Sequence, residues 1–143
     1  MRCIVRRCAI FTLSLAAGAV LAAPQGQASG GDAKNGALLY GRCVACHALA
    51  SDRTGPRHCG LFGRKAGSVA GFPYSDAMKR SKIVWTKASL GRFLADPFKT
   101  IPGTAMGYAG VKDRAERDDL IAYLRAANDT EECRKAAPPS ARP

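Results

Sequence analysis

Apolar positions along the chain fall into two patterns: one unbroken run near the N-terminus, and later short stretches where they recur at helical spacing. The later stretches predict helices. GDAKNGALLYGR at 31–42 reads as one, and SDAMKR at 75–80 as a shorter one. Thr86 caps a third that ends before Pro97. Asp113 and Glu116 form an Asp-started relative of the capping box, opening a helix that buries Leu120, Ile121 and Leu124. Alternation of useful strand length is missing, and the stretches between are rich in Gly and Pro, so the expected fold class is all-α with long loops.

The unbroken run spans residues 8–23, preceded by Arg2, Arg6 and Arg7 and followed by small residues. This is the layout of a secretory signal peptide over residues 1–28, with cleavage after Ala22 or Ala28. The alternative is a retained anchor, but the run is shorter than the roughly 20 residues that span a bilayer. Residues 29–135 are then the domain, and 136–143, AAPPSARP, a solvated tail. At 47% hydrophobic and 23% charged residues the chain has the composition of a globular protein.

Charge sharpens the choice of partners. The net +11 falls to +8 once the three leader arginines leave, a positive field suited to acidic proteins or membrane headgroups. Export and the lack of basic runs interleaved with aromatics argue against nucleic acid.

Cys43, Cys46, Cys59 and Cys133 remain after the leader, in an oxidising compartment where two disulfides are one possibility. Cys43-Val44-Ala45-Cys46-His47, however, is a C-x-x-C-H sequence, the attachment site of a c-type haem. Two thiols three positions apart on a helical turn can each add to one porphyrin vinyl group, and His47 then lies beneath the iron. A thioredoxin-like site would want a preceding strand, and a zinc site a second ligand pair, which His58 and Cys59 do not supply. A Met thioether opposite the His raises the potential of the iron. Met106 lies in a turn-rich loop, 101–110, that can cross a haem face; Met78, in a short helix, reads as a packing residue.

With these residues the chain resembles the class I c-type cytochromes of the mitochondrial and bacterial short-chain type. The resemblance runs from about Gly31 to Asn128, through CVACH, TGP at 54–56, GLFGRKAG at 60–67, GFPYSDAM at 71–78, IVW at 83–85, IPGTAM at 101–106 and DLIAYLR at 119–125. It implies the class I cytochrome c fold around one covalent haem c, with thioethers at Cys43 and Cys46 and axial ligands His47 and Met106. It also implies that Pro56 offers its carbonyl to Nδ1–H of His47, and that Arg64, Tyr74 and Trp85 surround buried propionates. The family packs its first helix on its last, and Gly36 would permit close approach.

The chain departs from the family at several places. Relatives usually hold an apolar residue and a His or Lys where this chain has His58 and Cys59. His58 reads as a partly exposed loop histidine. With Cys43 and Cys46 on the haem, Cys59 and Cys133 form a natural disulfide pair tying the end of the last helix to the proximal loop. The alternative is a free buried Cys59 and an exposed Cys133 that links dimers. Phe93 and Met78 stand where relatives often hold a Tyr and an Asn, which predicts a drier Met side and a positive reduction potential. The basic ring around the haem edge is attenuated: Arg42, Lys99 and Lys112 keep charge, whereas Phe98, Ala105 and Asp113 do not.

The expected function is that of a soluble periplasmic one-electron carrier and not an enzyme, monomeric by its size. By resemblance its partners would present acidic docking sites, as a quinol:cytochrome c reductase and a terminal oxidase do, in a respiratory or photosynthetic chain. The rival readings are a haem enzyme or gas sensor, both needing a labile sixth ligand, and a tethered haem subunit of a larger complex if the leader stays.

Overall fold

The computed structural model describes residues 30–136. The leader and the tail beyond Ala136 lie outside the described residues. Helices α1 (Ala33–Tyr40), α2 (Asp76–Arg80), α3 (Lys87–Ala95), α4 (Pro97–Thr100), α5 (Arg114–Asn128) and α6 (Glu131–Ala136) follow in order, with an isolated antiparallel bridge between Lys65 and Val84 as the strand-like pairing among the described residues. Helix α6 runs one residue into the segment expected to be tail.

Local chemistry sets most helix starts. The Asp32 carboxylate caps α1, Ser75 caps α2, and Asp113 caps α5 by accepting from Glu116 N at 2.8 Å. At α3, Thr86 and Ser89 cap each other reciprocally. Pro97 does end α3, but the chain turns at once into α4. Asp96 accepts from Lys99 N, and Pro97 takes the first helical position, where its missing N–H costs nothing. Helices α4, four residues long, and α6, whose EECRKA sequence buries only Cys133, show no apolar repeat from which to expect them.

Helix α5 turns Leu120, Ile121, Leu124 and Ala127 inward. Its partner α1 crosses it at backbone contact: a Cβ on Gly36 would fall 2.0 Å from Asp119 O, and one on Gly31 2.1 Å from Asp118 O. Asp119 pins the crossing by accepting from Asp32 N and Asn35 Nδ2, both at 2.6 Å. Those bonds hold its carboxyl below the usual carboxylate range. Gly36→Ala has no slack to absorb a methyl against backbone, so it is expected to lower the unfolding free energy by about 3 kcal/mol. Guanidinium denaturation checks this, and an unchanged midpoint would mean the helices can separate without loss.

The long loops 41–75 and 101–113 close over the helices and leave a cavity between them. The loop carrying Met106 is moored at its far end by Val111 N donating to Leu94 O at 2.8 Å. Gly110, at φ +95°, lies so close to Ala95 O that a Cβ would stand 2.4 Å away. Among the described residues, no helix is long and apolar enough to cross a membrane.

Candidate haem site

Residues 43–47 leave α1 as one further turn: Cys46 N and His47 N both donate to Cys43 O, at 3.1 and 2.9 Å. That turn brings Cys43, Cys46 and His47 to the wall of a single cavity of about 310 Å³. Cys43 and Cys46 are not in a disulfide. The His47 imidazole has its Nδ1 2.8 Å from Pro56 O. Since a carbonyl only accepts, Nδ1 carries the proton and Nε2 keeps its lone pair. Burial pushes the imidazole pKa down, which favours this neutral, ligating form.

Met106 lines the same cavity. Its backbone is held by Met106 N donating to Thr104 Oγ1 at 3.3 Å and Tyr108 N donating to Met106 O at 2.9 Å. Phe93 and Met78, 5% and 8% exposed, also line the cavity, so Met78 is both a core residue and a wall residue.

Arg64, Tyr74 and Trp85 converge on the cavity as well. Arg64 donates from one terminal nitrogen to Cys59 O and from the other to Arg57 O, each at 2.9 Å. Its Nε–H is buried with no hydrogen-bond partner. A buried guanidinium N–H without an acceptor is costly, and a carboxylate-bearing group in the cavity removes that cost. Together with the thiol pair, the free Nε2 and an apolar, aromatic-lined space of ligand size, this fits haem.

Set beside known proteins, residues 33–128 match the Cytochrome c family. The chain belongs to the cytochrome c family. It is 44% identical over 112 residues to cytochrome c2 of Blastochloris viridis, covering 76% of this chain and 88% of that one. It is 48% identical over 96 residues to cytochrome c2 of Rhodoplanes tepidamans, covering 65% and 90%. Among solved structures, cytochrome cH from Methylobacterium extorquens superposes with a TM-score of 0.66 at 42% identity, covering 67% of this chain and 99% of that one. The fold is therefore the all-α cytochrome c fold, and the cofactor of this cytochrome c is one covalently bound haem c.

Cys59 and Cys133 are joined in a disulfide with Cα atoms 5.0 Å apart. The three cations expected at a basic docking face, Arg42, Lys112 and Lys99, differ from one another in their surroundings. Arg42 is committed to Glu116 through two bonds of 2.8 and 3.1 Å. Lys112 donates to Ala95 O at 2.9 Å and lies 3.9 Å from Asp96. Lys99 is exposed, and its ammonium engages no carboxylate among the described residues.

Sequence reasoning missed His58. It is the half-buried loop histidine the sequence suggests, but it also lines the cavity, a role the sequence did not reveal. Its ring stacks on His47, with centroids 4.3 Å and planes 20° apart, and its Nδ1 is 3.1 Å from the Tyr40 hydroxyl. Burial, reinforced by His47 and Arg64, pushes its pKa down to about 3, so the ring is neutral. Gly55 was also missed as a site residue: a Cβ there would stand 2.3 Å from His47 Cε1. The TGP motif contained that signal; for His58 the only signal was its place two residues after Pro56.

Proposed function

We propose that this cytochrome c is an exported one-electron carrier whose haem iron is held by His47 and Met106. The observation that carries this reading is that both side chains line one cavity, with His47 already restricted to the ligating tautomer. When bound, the haem supplies one-electron exchange at its iron, and the protein supplies ligands, shielding and an exposed docking face. In this reading Cys43 and Cys46 make the thioethers, while Arg64 Nε, Tyr74 and Trp85 receive the carboxylates. Filling both axial positions leaves no site for a substrate on iron, which separates a carrier from an enzyme or gas sensor.

Phe93 and Met78 put apolar groups where water would otherwise stabilise the more charged ferric state, so the potential is positive. The periplasm fits the leader-like N-terminus. Acidic docking sites on redox partners, such as a quinol:cytochrome c reductase and a terminal oxidase, fit the net positive charge, with Lys99 the side chain available to pair. Lys112 and Arg42 contribute field while held by local partners.

The absorption spectrum of the purified holoprotein, oxidised and reduced, with and without carbon monoxide, tests this. A low-spin haem with a far-red sulfur–iron band when oxidised and no carbon monoxide shift is expected. A high-spin iron that binds carbon monoxide readily overturns it.

A further inference from the structure

His47 is oriented by more than its bond to Pro56. The Pro56 bond limits where Nδ1 can sit, but the angular tolerance of one hydrogen bond still lets the planar ring turn and tilt by tens of degrees. A flat neighbour against the ring face removes that freedom. His58 is such a neighbour, stacked on His47 at 4.3 Å with 20° between planes. Its own ring is anchored by the Tyr40 hydroxyl at 3.1 Å, with Tyr40 packed edge-on at 5.7 Å.

The backbone beneath this stack is fixed from several sides. His58 N donates to Leu49 O at 3.0 Å, and Leu61 N donates to His58 O at 3.0 Å. Arg64 binds the carbonyls of Arg57 and Cys59, on either side of His58, and the disulfide fastens Cys59 to α6. A side chain on so rigid a support transmits its own orientation to what it touches.

We propose that His58 is a positioning residue: anchored by Tyr40, it sets the rotation of the His47 ring about its bond to iron and thereby tunes the electronic state of the haem. This rests on His47 being the axial ligand, as put forward above. The imidazole plane decides which iron d orbitals overlap the ligand π system. Rotation of the ring therefore changes the distribution of unpaired spin over the ferric porphyrin, an effect that fold stability alone does not move.

The test compares holoprotein carrying His58→Leu, His58→Phe and Tyr40→Phe with the wild type. The readouts are proton NMR of the ferric haem methyl resonances, electron paramagnetic resonance g-values, and reduction potential. His58→Leu is expected to change the spread of the methyl resonances and the g anisotropy and to shift the potential, with the far-red sulfur–iron band retained. Tyr40→Phe should move the methyl pattern in the same direction by less. His58→Phe, which keeps a flat ring, should restore much of the wild-type pattern.

Wild-type methyl shifts, g-values and potential in His58→Leu would overturn the proposal, even if its melting temperature falls. Should His58→Leu fail to load haem, an unchanged methyl pattern in Tyr40→Phe together with one in His58→Phe no nearer wild type than expected for a disordered ligand overturns it instead. Absence of the far-red band from the wild type itself is a different result: it removes the ligand assignment on which the proposal stands.

Discussion

Met106→Ala is expected to abolish the far-red sulfur–iron band, let the ferrous protein bind carbon monoxide, and lower the reduction potential by on the order of a tenth of a volt or more. Axial ligation spans about 0.8 V across haem proteins, and a thioether favours the ferrous state. The loop should survive the change, because what holds it is backbone: Thr104 N on Ile101 O at 3.0 Å, Tyr108 N on Met106 O at 2.9 Å and Val111 N on Leu94 O at 2.8 Å. The lost chemistry is therefore that of one sulfur atom, not of a fold. Met78 lines the same cavity and supplies the control. If Met106→Ala keeps the band and Met78→Ala loses it, the sixth ligand has been assigned to the wrong methionine.

Removing the disulfide with Cys59→Ala and Cys133→Ala together should cost about 4 kcal/mol of stability, in the chain-entropy view of a loop closed over a sequence separation of 74. For a domain of this size that corresponds to a fall in melting midpoint on the order of 15 °C or more. Cys133 is 2% exposed and Cys59 5%, so the pair also belongs to the packed interior. The bridge joins α6 to the loop that carries His58, and its loss should be felt first there. Denaturation of wild type and double variant at equal haem content measures the difference. A change below about 1 kcal/mol, or two free thiols in the non-reduced holoprotein by mass, would mean that the crosslink contributes nothing in solution.

How far the chain could be read ahead of its structure follows the range of the interactions concerned. The caps Thr86 and Asp113 act on backbone within three residues, and both stand where the chain pattern places them. Asp96 and Pro97 carry an equally local signal, but Pro97 reads as a stop, and only the structure shows it also to be a start. Arg42 keeps its charge at the expected basic ring, but Glu116, 74 residues away in sequence, lies 2.8 Å from it and pairs with it. His58 is the half-buried loop residue its sequence suggests, but its contacts with Tyr40 and His47 are made by the folding of the 41–59 loop, which no periodicity encodes.

By itself, then, the order of residues determined the chemistry that depends on neighbours in the chain. It determined a thiol pair and an imidazole on one turn, a turn-rich loop carrying Met106, the helix caps and the amphipathic face of α5. Tertiary structure alone decided what depends on distance in space. It brought Met106 and His47 to the wall of one cavity, left the Arg64 Nε–H buried without an acceptor, tied Arg42 to Glu116, and laid His58 on His47. The reason is physical. Caps, turns and helical faces arise from bonds spanning a few residues, whereas the walls of a cavity are formed by segments whose meeting depends on every close contact between them, down to the absent Cβ of Gly36.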